Sequence, residues 1–266
     1  MSFKPSNDRH AIQQVSFIVH LTAPLSQVAA DAIAASHQDL RADLPKLERP
    51  SVFAFQFSED GVGVPPEIAA PVVMKSFRRD GSIDWELFAQ ESSVAINCFS
   101  YTRWDDIWSR ARRYLAKAFE VDAATKLSAR SIVLHYVDVF DAESDTYDLD
   151  TLIKSDSSYV PAQVRDKGIL WHSHQGWFET DTEIGEFGRI LHRVEFAGLR
   201  TARGPVVKAD HMQELRFATP LAGLSESFAD TQSHVVKAMK RLHARNKEFC
   251  ASFLTEEMQN RVSLNG

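Results

Sequence analysis

The stretch Trp171-His172-Ser173-His174-Gln175-Gly176-Trp177 holds the residues with the plainest chemical potential. On a strand, His172 and His174 point to the same face about 7 Å apart, close enough to share a metal ion if a third ligand arrives from elsewhere. His192, Asp210 and His211 are the candidate third ligands, and a metal held this way would support hydrolysis by activating water. Alternating His with flanking Trp is equally natural on a half-exposed sheet face, where imidazole and indole accept polar and apolar neighbours.

A second group is His135, Tyr136 and Asp138, an acid and base set on an apolar strand where burial would shift their pKa values. His135 and Tyr136 point to opposite faces, so the three cannot converge on one substrate, and a hydrogen-bonded core histidine is the favoured reading. Cys98 falls in line with Val94 and Ile96 and reads as a small buried hydrophobe; Cys98 and Cys250 are the only cysteines and lack metal-site spacing. Serine nucleophile motifs, phosphate-cradling glycine loops and Rossmann fingerprints are absent. The acidic run Asp141, Glu143, Asp145, Asp148 and Asp150 starts like a calcium loop, but Thr146 and Leu152 stand where glycine and glutamate are required, which leaves a solvated loop. No cofactor is expected.

The elements that position these residues centre on 93–139. Val94, Ile96 and Cys98 alternate with Ala95, Asn97 and Phe99 as a strand. Thr102 stands as an N-cap with Asp105 three residues on, and Trp104, Ile107, Trp108, Ala111, Leu115, Ala118 and Phe119 form one helix face. In 131–140 both strand faces are largely apolar, which predicts a central strand. Before this unit, residues 1–10 read as a mobile tail, 12–21 as a strand, and Pro24 opens a helix whose face is Leu25, Val28, Ala29, Ala32, Ile33, Ser36 and Leu40. Val52 to Phe57 reads as a strand, GVGVPP at 61–66 as a turn, and 68–79 and 83–90 as strands joined by a two-residue Asp80-Gly81 hairpin.

After the centre, 151–165 is weakly helical or irregular, and strands are predicted at 169–178, 189–199, 206–211 and 213–219. A long helix capped by Ser225 follows, with Phe228, Val235, Ala238, Met239, Leu242 and Phe249 as its stripe and Lys237, Lys240, Arg241, Arg245 and Lys247 as its basic side; a short helix closes 255–262. Strand, helix, four antiparallel strands, helix therefore occurs twice. This predicts an α+β fold of two pseudo-duplicated halves, 11–124 and 125–266, in one continuous domain. Its order resembles the saddle of the TATA-box-binding protein, a curved sheet with helices on one face.

A net charge of −6 and a pI of about 5.9 argue against a main role on nucleic-acid backbones, although the sheet face keeps nucleic-acid binding as an alternative. No apolar run suffices to span a bilayer and Met1 to His10 lacks a signal-peptide core, so no membrane association and a cytoplasmic location are expected.

Tyr101-Thr102-Arg103-Trp104, the strand Ile132 to Asp138, and Leu242-His243 followed by Phe249, Phe253, Leu254, Thr255 and Glu256 together carry a resemblance. In them the chain resembles a sporadically distributed family of uncharacterised prokaryotic proteins of similar length. The family strand reads Leu-Arg-Tyr-Ile-Asn, so His135 and Asp138 depart from it. The resemblance implies a patchily inherited gene and a partner in a bacterial defence or toxin-neutralising system. The expectation is a non-enzymatic binding protein with a protein partner, with Tyr101, Trp104, Tyr136 and His243 as candidate binding residues. The alternative is a metal-dependent hydrolase built on His172 and His174.

Overall fold

The computed structural model describes residues 3–7, 9–50, 56–58, 61–63, 69–120, 127–180 and 188–264. The protein is α+β, with a large antiparallel sheet and helices. It divides into two compact units, neither contiguous in sequence. The first is Met1–Val15, Leu134–Leu215 and Lys237–Gly266; the second is Ser16–Val133 and Arg216–Val236. Both differ from a division of the chain near residue 124, because their boundaries fall inside long strands and inside the last long helix.

In the second unit, β2 (Ile12–Leu21) is followed by α1 (Gln27–Ala35), α2 (His37–Leu40) and β3 (Lys46–Glu48). The pair β4 (Gln56–Ser58) and β5 (Gly61–Gly63) comes next, then β6 (Val72–Phe77), β7 (Ile83–Gln90), β8 (Ser93–Cys98) and α3 (Trp104–Ala118). Alternation in β7 and β8 matches the sequence reading, and Trp85 and Leu87 of β7 are buried opposite Cys98 and Ile96. Asp80-Gly81 turns the chain, with Gly81 at φ +84°, but the loop is wider than two residues. Arg78 N–H donates to the Ser82 carbonyl, and the Asp80 carboxylate accepts from Ser82. Residues 52–55, 64–66 and 68 of the sequence reading lie outside the described residues. Gly61–Gly63, read as a turn, pairs with β4.

Three caps differ from expectation. Ser26, not Pro24, opens α1 by accepting from Ala29 N–H, which turns Ala29, Ala30 and Ile33 inward and leaves Val28 70% exposed. Arg103 occupies the N-cap of α3 without a side-chain bond, so Asp105 and Asp106 in its first turn are what complement the helix dipole. Ser225 donates to the Ala116 carbonyl instead of capping the long helix, whose start is held by Ser233 Oγ accepting from Val236 N–H.

Helix α3 seats Ile107, Trp108, Ala111, Tyr114 and Leu115 against this unit's strands. Trp108 stacks on Phe17 at 5.2 Å, and Arg110 lies over the Trp85 ring at 4.6 Å.

In the first unit, β1 (Phe3–Pro5) pairs with β9 (Ala129–Ala142), and Phe3 is buried; this apolar anchor fixes residues expected in a mobile tail. Next come α4 (Ala162–Arg165), β10 (Trp171–Glu179), β11 (Gly188–Thr201) and β12 (Gly204–Leu221); after α5 (Leu224–Ala229), which belongs to the second unit, the chain returns with α6 (His234–Phe253) and α7 (Glu256–Arg261). The two strands expected between 206 and 219 are one strand, β12, because no glycine or proline interrupts that run. The element order after β9 therefore has three strands where four were expected.

The strand order in this unit is β10-β11-β12-β9, and β9 carries buried apolar residues on both faces. From α6, Phe249, Cys250 and Phe253 pack against Phe140 of β9, Val194 and Phe196 of β11, and Val207 and Ala209 of β12. No helix among the described residues is long and apolar enough to cross a membrane.

Candidate functional site

The strand alternation of the first unit sorts its polar residues between two faces. Toward α6 point Trp177 and Glu179 of β10, His192 of β11, His211 and Gln213 of β12, and Tyr136 and Asp138 of β9. Away from it point His172 and His174, Arg193 and Glu195, Lys208 and Asp210, and His135.

Under α6 the histidines form an oriented chain. Trp177 and His192 are direct cross-strand partners, and their rings stack with centroids 4.8 Å apart and 3° between planes. His192 Nδ1 lies 3.3 Å from His211 Nε2, and His211 Nδ1 lies 2.8 Å from Asn246 Oδ1. Asn246 Nδ2 faces the Cys250 sulfur, so Asn246 Oδ1 is the acceptor and His211 carries its proton on Nδ1. His211 Nε2 then accepts from His192 Nδ1–H. His192 Nε2 stands 3.1 Å from Glu179 Oε2, close in distance but not aligned as a hydrogen bond. The other Glu179 oxygen accepts from Arg245 at 2.5 Å.

Burial drives the His211 pKa down to about 3, against the pull of its Asn246 bond. Burial also lowers His192, with Glu179 opposing and Arg245 reinforcing. Burial thus favours the neutral form of both rings. Gln213 donates to the Leu242 carbonyl at 2.8 Å, while its side-chain oxygen, fully buried, has no hydrogen-bond partner among the described residues. Asp138 is 8% exposed, and burial first, with Asp210 second, pushes its carboxyl up to about 7.

The candidate residues of the sequence distribute as follows. Tyr136 and His243 come together: the Tyr136 hydroxyl lies 2.9 Å from His243 Nδ1 and ties β9 to α6. Trp104 stacks on Trp108 and packs tilted against Phe17 in the second unit, where half-buried Tyr101 also lies. His172 and His174 are exposed on one face, as expected, but His192 and His211 point to the other and Asp210 is engaged elsewhere. Among the described residues, no three of His, Cys, Asp or Glu are grouped to hold a metal ion.

Asp210 binds His135 Nε2 at 2.6 Å and Lys208 Nζ at 2.9 Å. Burial opposes its ionisation, but the bonds and charges of these two partners prevail and its pKa is lowered. Sequence reasoning missed this triad because it arises from a cross-strand pair between β9 and β12. The His192-His211-Asn246 chain escaped for the same reason; its only sequence signal was polar residues at alternate positions of apolar strands.

Neither cysteine is poised as a nucleophile: burial raises Cys98 to about 11 and raises Cys250 further above the ordinary thiol range. The chemistry under α6 is therefore that of a buried polar network tying two strands to a helix, in which His192 Nε2 and the Gln213 oxygen have no hydrogen-bond partner among the described residues. The opposite face carries charges of both signs at the surface. The chain matches no protein-family model, and no curated protein matches it.

Proposed function

We propose that the protein is a non-enzymatic binding protein, and that the strand face of its first unit turned away from α6 recognises a protein partner. The observation that carries this reading is the contrast between the two faces of β9, β10, β11 and β12. Under α6, Tyr136, Asp138, His192, His211 and Cys250 are buried, and burial favours neutral histidines and an inert thiol. Those on the other face, His172, His174, Arg193, Glu195, Lys208 and Asp210, are exposed or half-exposed and alternate in sign. Such a surface suits charge-complementary recognition of a folded protein, where mismatched charges reject wrong partners.

A cytoplasmic setting and a partner from a bacterial defence or toxin-neutralising system are parts of the same reading. They are supported by the sequence resemblance alone. The saddle-like, duplicated form of the fold is also a proposal. Strand, helix, strands, helix in each half of the chain supports it, and the single long β12 limits how close the repeat is.

The test is affinity capture of the tagged chain from its native host at low salt, with metal analysis of the same eluate. A stoichiometric protein partner, lost when Arg193→Glu and Glu195→Lys are combined, is the expected result. A chain isolated alone with stoichiometric metal would overturn the proposal.

A further inference from the structure

Most histidines of the first unit have ring nitrogens committed to a named partner: His135 to Asp210, His192 and His211 to each other and to Asn246, and His243 to Tyr136. His172 and His174 differ. Both are exposed, and His172 has no hydrogen-bond or ion-pair partner among the described residues. His174 has a loose one, its Nδ1 standing 3.9 Å from Glu195 Oε2, with the two side chains 60% and 42% exposed. Strand β10 pairs with β11 without a register shift from Trp171↔Gly198 to Glu179↔Ile190, so residues two apart share a face. The Cα atoms of His172 and His174 are therefore about 6.7 Å apart along the strand, and an imidazole nitrogen at the end of each side chain reaches across half of that span. Two of the flanking positions are small: Ala197 lies opposite His172, and Gly176 follows His174 on the same face. Opposite His174 is the carboxylate of Glu195. The nearest cation in register, Arg193, lies opposite Gly176, with Glu195 between it and the Ala197 pair.

We infer that His172 and His174 chelate a divalent late transition-metal ion, with Glu195 as a third donor and water in the remaining positions. Two imidazoles and one carboxylate suit copper, nickel or zinc, whereas calcium and magnesium take oxygen donors. Copper(II) stands highest in the order of affinities and is the probe of choice. Three such donors are not gathered in the structure, so Glu195 joins by rotation of an exposed side chain. Ordering it and two exposed rings costs rotamer freedom, which makes this an exchangeable site and not a closed structural centre. Such a site exchanges its ion with solvent and is not expected to carry stoichiometric metal through isolation. The inference does not rest on a protein partner.

The test adds one equivalent of copper(II) to the untagged, chelator-treated full chain and follows it by electron paramagnetic resonance and titration calorimetry. The wild type is expected to bind one ion per chain with the hyperfine pattern of two imidazole nitrogens. His172→Ala and His174→Ala should each lose that two-nitrogen pattern, and Glu195→Gln should weaken binding while keeping it. All three side chains lie on the outer strand face, so the circular dichroism of the variants should match the wild type. A wild type without the two-nitrogen pattern overturns the inference. So does a pattern that survives in either histidine variant, which would place the copper on other histidines. Binding unaltered by Glu195→Gln would overturn the third donor. The metal is supplied to a chain freed of it, so copper binding and partner capture can fail separately.

Discussion

His192 and His211 share one hydrogen bond, 3.3 Å between Nδ1 and Nε2, and its direction is set from outside the pair by Asn246 on α6. The bond links adjacent strands, and Asn246 links both to the helix. Replacing Asn246 by leucine keeps the branching at Cγ but leaves the buried His211 Nδ1–H without an acceptor, which costs about 1–3 kcal/mol. Chemical denaturation should show that loss. Nitrogen NMR of histidine-labelled protein should show His211 as the Nδ1–H tautomer in the wild type and a mixed population in Asn246→Leu. A single unchanged tautomer in the variant would mean that Asn246 does not orient the chain.

The same chain sets a pH dependence of stability. His211, at about 3, and His192, also lowered, have folded pKa values below the ordinary 6.5, so the unfolded chain binds protons that the fold does not. Their contribution is complete above 6.5 and is lost as pH falls from 6.5 toward 3. Denaturation midpoints measured across this window should fall, and His211→Gln should flatten the fall. A profile as steep in the variant as in the wild type would remove His211 from the account.

Asp138 acts with the opposite sign. Its folded pKa of about 7 lies above the ordinary 3.8, so the fold holds a proton that the unfolded chain releases. The stability tied to that proton is present below 3.8 and is lost as pH rises through 7. Asp138→Asn imitates the protonated form. Relative to the wild type, the variant should gain on the order of 4 kcal/mol as pH rises from below 3.8 to above 7. A stability difference that does not vary with pH would show that the carboxyl is ionised in the fold.

Much of the frame was legible in the residues because it rests on local pattern. The alternation in 83–90 and 93–98, the helix face from Ile107 to Leu115, and the apolar strand carrying Tyr136 are all properties of neighbouring residues, and the structure keeps them. The misplaced caps at Thr102 and Ser225 show the limit. Each is a sound local signal, but Thr102 lies one residue outside the cap of α3, and Ser225 finds a tertiary acceptor in the Ala116 carbonyl. The polar network was illegible for a stronger reason. His192, His211 and Asn246 lie 19 and 35 residues apart, and only the pairing of β11 with β12 and the docking of α6 bring them together.

Gly198 illustrates a constraint of backbone space. A Cβ there would stand 2.5 Å from Trp171 Nε1 and 2.6 Å from the Ile169 carbonyl oxygen. The indole could swing aside, but the carbonyl belongs to the chain entering β10. Gly198→Ala should therefore destabilise by about 1–3 kcal/mol and lower the melting temperature, with the change in tryptophan fluorescence locating the disturbance at Trp171. A variant with the wild-type melting temperature would show that residue 169 moves without cost.

Tyr136 and His243 form a hydrogen-bonded tie between β9 and α6. The Tyr136 ring is fully buried and its hydroxyl reaches His243 Nδ1 at 2.9 Å, while His243 is only half-buried on the helix. If this contact only secures the helix, Tyr136→Phe removes one hydrogen bond and costs about 1 kcal/mol, leaving partner capture intact. If it belongs to a binding surface, His243→Ala should weaken partner capture by more than its effect on stability explains. His243 can reach solvent and Tyr136 cannot, so the geometry favours a divided outcome: a stability loss for Tyr136→Phe, and whatever binding loss there is for His243→Ala. Denaturation and capture measured on both variants separate the two, and a binding loss confined to Tyr136→Phe would contradict the burial of its ring.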